Sequence, residues 1–203
     1  MAEQHQFDCH EDYVKAQTKL TSFKINRKKT TRCFCVDAVV AVIEEHFDPR
    51  LTDPRGLFGL CHGVRTGQEL DMFENAFGGG WVGTEIFPEI CDGKRILNQS
   101  FDELPASWCG AFDIVYSNSF DHSRYPRGTA STWVEALAPG GRLFVEWTEW
   151  HEKLGSRGNR ADCYAASLDE YIEVFNRAGE VETVLDAFEQ CERKIVVVKC
   201  KQN

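Results

Sequence analysis

The feature that most constrains the fold is an alternation along the chain. Short apolar runs bounded by glycine or proline give way to stretches whose apolar residues recur at three- and four-residue steps. Residues 56–61, Gly-Leu-Phe-Gly-Leu-Cys, read as a buried strand, and residues 68–77 as a helix with Leu70 and Phe73 turned inward. Residues 81–86, 95–98, 112–117 and 142–147 are further strands, of which 112–117 is the clearest and 95–98 the weakest. Residues 35–47 read as a helix through Val36, Val39, Val40 and Ile43, ended by Asp48-Pro49. Residues 131–137 read as a helix stopped by Ala138-Pro139-Gly140-Gly141, and residues 168–178 as one stopped by Gly179. Residues 181–187 and 193–200 are two last strands with no helix between them. The pattern predicts an α/β fold: a mainly parallel sheet, helices on both faces, and an antiparallel hairpin at the end.

At 203 residues the chain suits one domain with a small appendage. The appendage is residues 1–34, a polar arm or cap with a helical stretch at 12–20 and a basic run at 24–32; the domain is 35–203. The basic run reads either as a solvated face or as a cap that attracts an anionic substrate. The net charge of −9 repels phosphate backbones, so no nucleic-acid partner is expected. No stretch is apolar enough to span a membrane and the first residues are not a secretory signal, so a cytoplasmic protein is expected. The nine cysteines are odd in number, scattered and without a CxxC pair. They are expected to be reduced and structural, not disulfides or a zinc site. Nothing in the sequence sets the oligomeric state.

The chemistry begins at the glycine loop after the first central strand, His62-Gly63-Val64-Arg65-Thr66-Gly67. Glycines let a backbone pass close to a ligand, and the following helix start offers free N–H groups. Glu85 ends the next strand eighteen residues after Gly67. That is near the offset at which a carboxylate meets a ribose diol in a nucleotide crevice. The loop lacks both GxGxxG and GxxxxGK[ST], which excludes the dinucleotide fingerprint and the P-loop.

Together with Phe112-Asp113-Ile114-Val115-Tyr116-Ser117-Asn118-Ser119 and Leu137-Ala138-Pro139-Gly140-Gly141-Arg142-Leu143, these pieces resemble the class I S-adenosylmethionine-dependent methyltransferases. The resemblance spans roughly residues 36–200. It implies a Rossmann-like seven-stranded sheet, strand order 3-2-1-4-5-7-6, with the last strand antiparallel. It also implies S-adenosylmethionine as cofactor, held by Cys61, His62, Gly63, Arg65, Thr66 and Gly67, by Glu85 and Ile86, and by Ser117 and Asn118. Cys61 stands where the family usually has an acidic residue, and Arg65 where it has a middle glycine. The Arg65 fork matches the carboxylate of the methionine part. Past the third strand, either Asp102 or Ser100 meets the adenine amino group, with Phe101 against the ring.

Ligands of open sheets bind beyond the carboxyl ends of the strands. Asn118, Asp121 and His122 are therefore expected across the donor site, together with Trp150 and His151 after the next strand. Methyl transfer to a hydroxyl needs positioning and a proton acceptor, and histidine titrates near neutral pH. His122 is the first choice of base and His151 the second; Asn118, Asp121 and Trp150 are expected to line the acceptor. The run from Glu146 to Glu152 reads as a substrate lid with aromatic walls, and since it shows no fixed ligand spacing, no metal is expected. Residues 155–160 read as a mobile lid or a connector. The expected activity is O-methylation of a small molecule, sugar or natural product. The alternative is a binding module or partner subunit that keeps the fold without transfer.

Overall fold

The computed structural model describes residues 2–4, 7–28, 36–46, 56–152, 162–188 and 193–201. In chain order the elements are β1 (Glu3–Gln4), α1 (His10–Lys28), α2 (Val36–His46), β2 (Phe58–His62), α3 (Gln68–Phe77), β3 (Gly80–Glu85), β4 (Ile96–Asn98), β5 (Phe112–Ser117), α4 (Pro126–Glu135), β6 (Leu137–Thr148), β7 (Tyr164–Ala165), α5 (Leu168–Ala178), β8 (Glu180–Phe188) and β9 (Arg193–Lys199). Seven strands form one sheet in the order β4-β3-β2-β5-β6-β9-β8. β9 runs antiparallel between β6 and β8, and the pairs among β2 to β6 are parallel. This is the order and polarity that the resemblance implied. Strand order reverses around β2, so the ends of β2, β3 and β5 open onto a common crevice.

Alternation along the strands divides the core in two. On one face Trp133, Phe120, Tyr171 and Phe175 pack under α4 and α5. On the other, Val39, Ile43, Leu70, Phe73 and Trp81 pack beneath α2 and α3. α5 opens on a capping box, in which Ser167 Oγ accepts from Glu170 N–H and the Glu170 carboxylate accepts from Ser167 N–H.

Two boundaries differ from the sequence reading. α4 starts at Pro126, a proline at the first helical position, and ends at Glu135. β6 begins at Leu137, before the Pro-Gly-Gly turn. Phe112 pairs with Leu137 and Ile114 with Arg142, so Ala138 to Gly141 bulge out of the ladder while the strand continues. A Cβ on Gly141 would lie 2.8 Å from the Phe112 carbonyl oxygen, which is why the bulge carries glycine there. The pairing of β1 with β7 has no counterpart in the sequence pattern. Among the described residues no helix is long and apolar enough to cross a membrane.

Candidate functional site

The glycine loop is built by backbone geometry. The N–H groups of Gly63 and Val64 both donate to the Thr84 carbonyl, at 3.0 and 3.3 Å, which clamps the end of β2 to the end of β3. Gly63 has φ +73°, and a Cβ there would lie 2.8 Å from Ser119 Oγ. Arg65 has φ +43°, the left-handed region that costs most side chains about 1–2 kcal/mol. Arg65 therefore keeps a glycine-like backbone at the position where the resembling family has glycine. Its N–H donates to Glu85 Oε2 at 3.0 Å, which holds it there.

Glu85 also accepts from Ile86 N–H at 2.9 Å and Phe87 N–H at 3.1 Å, both on Oε1. A carboxylate has about four acceptor sites. Three are committed to backbone, and the fourth is left for a ligand donor.

Gly63, Arg65, Glu85, Ile86, Phe101 and His122 line one cavity, joined by Thr84, Gln99 and Ser119. Its remaining wall is α1: Tyr13, Gln17, Leu20 and Thr21. Over these turns α1 packs its side chains against the cavity; Tyr13 is 1% exposed. The helix fills most of the crevice, leaving about 50 Å³.

Several expected donor contacts are placed elsewhere. Cys61 turns its side chain into the core with Val39 and Ile43, because the strand's period of two sends it opposite to Leu60. His62 turns to the other core, where its ring stacks on Trp133 with centroids 4.6 Å apart and Nδ1 lies 2.9 Å from Thr84 Oγ1. Burial without a counter-charge pulls its pKa down to about 3. Cys61 and His62 thus face the loop through backbone alone. Ser117 Oγ donates to the His62 carbonyl and accepts from Ser119 N–H, so it locks two strand ends together. Asn118 Oδ1 accepts from Ser119 Oγ. Thr66 and Gly67 lead into α3, and Gly67 with φ +74° begins it. Ser100 Oγ accepts from Asp102 N–H, while Asp102 Oδ1 accepts from Ser123 Oγ at 2.9 Å and Thr129 Oγ1 at 2.5 Å. Both residues serve their own loop and the start of α4 rather than the cavity. Burial raises the Asp102 carboxyl above its usual range, against those hydroxyls.

Beyond β5, a short 3₁₀ turn at Phe120–His122 presents Asp121 and His122. His122 Nδ1 lies 3.4 Å from Asp162 Oδ1, and His151 Nε2 lies 3.8 Å from Asp121 Oδ2. Atoms of Asp121, His122 and Asp162 fall within 4.8 Å of one another, the one such grouping among the described residues. Two carboxylates and an imidazole at that spacing are a ligand set open to a divalent cation. From α1, Tyr13 donates its hydroxyl to the His122 carbonyl at 3.2 Å, and Gln17 Nε2 lies 3.2 Å from His122 Nδ1. His122 is thus in the cavity wall, whereas His151 lies behind it, against Asp121 and the Tyr171 ring. Trp150 is half-buried and is not in the cavity wall. Glu146, expected in the lid, is buried inside β6 against Tyr116 and Arg193. Residues 155–160 lie outside the described residues.

Sequence reasoning missed Tyr13, Gln17 and Asp162. The step of four between Tyr13 and Gln17, continued by Leu20 and Thr21, is a visible helical face. Asp162 carries no such signal, since it comes 40 residues after His122 in irregular chain.

No protein-family model matches the chain, and no curated protein matches it. Solved structures do. The Burkholderia thailandensis 1,6-didemethyltoxoflavin-N1-methyltransferase, solved with 1,6-didemethyltoxoflavin and S-adenosylhomocysteine, superposes with a TM-score of 0.70 at 14% identity, covering 98% of this chain and 94% of that one. The fold is that of the class I methyltransferases. A chain from a complex containing the Haloferax volcanii Trm112 methyltransferase activator gives 0.69 at 17% identity, covering 94% and 98%. A TehB-like SAM-dependent methyltransferase from Corynebacterium glutamicum gives 0.57 at 17%, covering 94% and 97%. At these identities the likeness is one of fold.

Proposed function

We propose that the protein is an S-adenosylmethionine-dependent methyltransferase that methylates a hydroxyl of a small molecule, sugar or natural product. The observation that carries this reading is convergence: the left-handed glycine loop, the Glu85 carboxylate and His122 meet on one cavity at the carboxyl ends of β2, β3 and β5. The residues present fit the cofactor. Glu85 has an acceptor site left for a ribose hydroxyl, Gly63 leaves room for close approach, Phe101 and Ile86 offer apolar walls, and Arg65 offers a fork for a carboxylate. When bound, S-adenosylmethionine supplies an electrophilic methyl group on a sulfonium. His122 takes the acceptor's hydroxyl proton as the O–C bond forms and the S–C bond breaks with its electron pair left on sulfur; the proton then leaves to solvent. We keep His151, against Asp121, as the second candidate proton acceptor and Asn118 and Asp121, which flank the His122 turn, as borders of the acceptor; Trp150 stands outside the cavity wall.

We divide the chain into a cap, residues 1–34, and a methyltransferase domain, residues 35–203. The six described cysteines carry no disulfide, which fits a reducing cytoplasm. The net charge of −9 fits a small-molecule acceptor better than a nucleic acid or an anionic membrane surface. The second reading is a methyltransferase-fold binding module or partner subunit without transfer; the similar Haloferax volcanii structure is a complex of a methyltransferase activator with a methyltransferase-fold chain, so such folds do take protein partners. Mass spectrometry of the purified protein for a retained S-adenosyl ligand, followed by an acceptor screen with labelled methyl donor, separates the two. Methylated product supports the first reading. Ligand binding without turnover across hydroxyl acceptors supports the second.

A further inference from the structure

Two groups contend for one nitrogen of His122. Gln17 presents its amide nitrogen to Nδ1 at 3.2 Å, and Asp162 presents Oδ1 to the same atom at 3.4 Å. A ring nitrogen of neutral imidazole is either a donor or an acceptor, never both. Accepting from Gln17 puts the ring proton on Nε2, and the imidazole then has no free lone pair to offer a substrate. Donating to Asp162 puts the proton on Nδ1 and leaves the Nε2 lone pair available.

Gln17 belongs to the helix that fills the crevice. Tyr13, one turn earlier, grips the His122 carbonyl, so α1 holds both the backbone and the ring of this residue. The remaining 50 Å³ is far below the roughly 300–1,000 Å³ of small-molecule sites. A nucleoside-sized donor therefore enters only as the α1 side chains withdraw, and withdrawal takes Gln17 off Nδ1. Asp162 is 8% exposed and comes from the chain after β6, not from α1, so it stays behind.

We propose that Asp162 is the positioning residue for His122, and that Gln17 of α1 holds His122 in the wrong tautomer until donor entry hands Nδ1 to Asp162. This rests on the methyltransferase reading for its purpose, but not for its test. When the handover has occurred, the acceptor proton passes to Nε2, the methyl group passes from sulfur to oxygen, and Asp162 remains ionised beside the imidazolium.

The test is ¹⁵N NMR of histidine-labelled full-length protein, with His122 assigned by its loss in His122→Asn. In the free wild type, His122 should carry its proton on Nε2. In Gln17→Leu the proton should move to Nδ1 without ligand, and in Asp162→Asn it should stay on Nε2 with or without S-adenosylhomocysteine. Saturating S-adenosylhomocysteine should move the wild type to Nδ1–H. A Gln17→Leu spectrum unchanged from wild type overturns the inference, as does an Nδ1–H tautomer in Asp162→Asn. Stoichiometric Zn²⁺ or Mn²⁺ binding that Asp162→Asn abolishes also overturns it, by making these residues metal ligands. Calorimetry with S-adenosylhomocysteine separates the two readings: no binding removes the methyltransferase reading, while the free-protein spectra still decide the role of Asp162. With an acceptor in hand, Asp162→Asn should lose about 10²–10⁴ in kcat with donor affinity kept, as wrong-tautomer dyads do.

Discussion

Arg65 donates its backbone N–H to Glu85 Oε2 at 3.0 Å, which makes the glycine loop and the acidic end of β3 one unit. The carboxylate pins a left-handed non-glycine residue and keeps one acceptor site for a ligand. Glu85→Ala removes both functions. Affinity for S-adenosylhomocysteine should fall by about 1–3 kcal/mol, the cost of leaving donors unpaired in a closed site. The melting temperature should fall as well, since three backbone N–H groups lose their acceptor. Calorimetry and thermal melts read the two effects separately. Unchanged affinity would remove Glu85 from the donor site, and an unchanged melt would show that the loop needs no such clamp.

His62 gives a pH prediction with a definite sign. Its folded pKa is depressed to about 3 by burial, while an unfolded histidine titrates near 6.5. Between those values the unfolded chain binds a proton that the native ring refuses. Stability from this residue is therefore complete above about pH 6.5 and declines as pH falls toward 3, by about 1.4 kcal/mol per pH unit. His62→Phe keeps a ring against Trp133 without the titration. Urea unfolding followed by tryptophan fluorescence should show the wild type losing about 2 kcal/mol more than His62→Phe between pH 6.5 and 5. Equal pH slopes in the two proteins would show that the native state admits the proton.

The sheet was legible because short apolar runs alternate with helical stripes such as those of α2, α3 and α5. The β8–β9 hairpin was legible from the absence of a helix between two apolar runs. The α4–β6 boundary was misread because Pro139-Gly140-Gly141 is a strong turn signal, and a strand that bulges through such a turn looks the same in sequence as one that starts after it. At the site, Gly63, Arg65 and Glu85 were legible because their backbone and charge requirements are local. The directions of Cys61 and His62 were in principle legible: counting from the buried Leu60, a period of two sends His62 to the same core as Leu60 and Cys61 to the other. A cap at residues 1–34 was one of two readings, but the contacts that Asp162 and α1 make with His122 were not legible, because they join segments 40 and about 105 residues apart with no shared period.

The thiols should divide by burial. Cys9, Cys109 and Cys200 are exposed, whereas Cys61 and Cys163 are buried. Burial, with Asp102 and Asp162 nearby, pushes the Cys163 thiol up to about 12, which starves it of thiolate. Brief alkylation of the native protein at pH 8, read by peptide mass spectrometry, should label Cys9, Cys109 and Cys200 and spare Cys61 and Cys163. Titration of unalkylated protein in denaturant without reductant should find nine free groups. Fast labelling of Cys163 would show that the segment after β6 opens on the reagent's timescale.

Inside the sheet, Glu146 accepts from the Tyr116 hydroxyl and from Arg193 Nη1, the latter at 2.9 Å. Glu146 is 1% exposed and Arg193 5%. Burial raises the Glu146 carboxyl, while Arg193 and Tyr116 oppose the rise. Removing the cation alone leaves a buried carboxylate uncompensated, so Arg193→Met should cost about 3–5 kcal/mol in urea unfolding at pH 7. Adding Glu146→Gln removes the charge yet leaves an oxygen to accept from Tyr116. The double variant should regain at least about 2 kcal/mol of the loss, so that the two substitutions are strongly non-additive. The deficit of Arg193→Met should also shrink as pH falls into the carboxyl range, because protonation neutralises the stranded group. A cost below about 1 kcal/mol, or a double variant worse than Arg193→Met alone, would show that the pair holds the sheet by packing rather than by charge compensation.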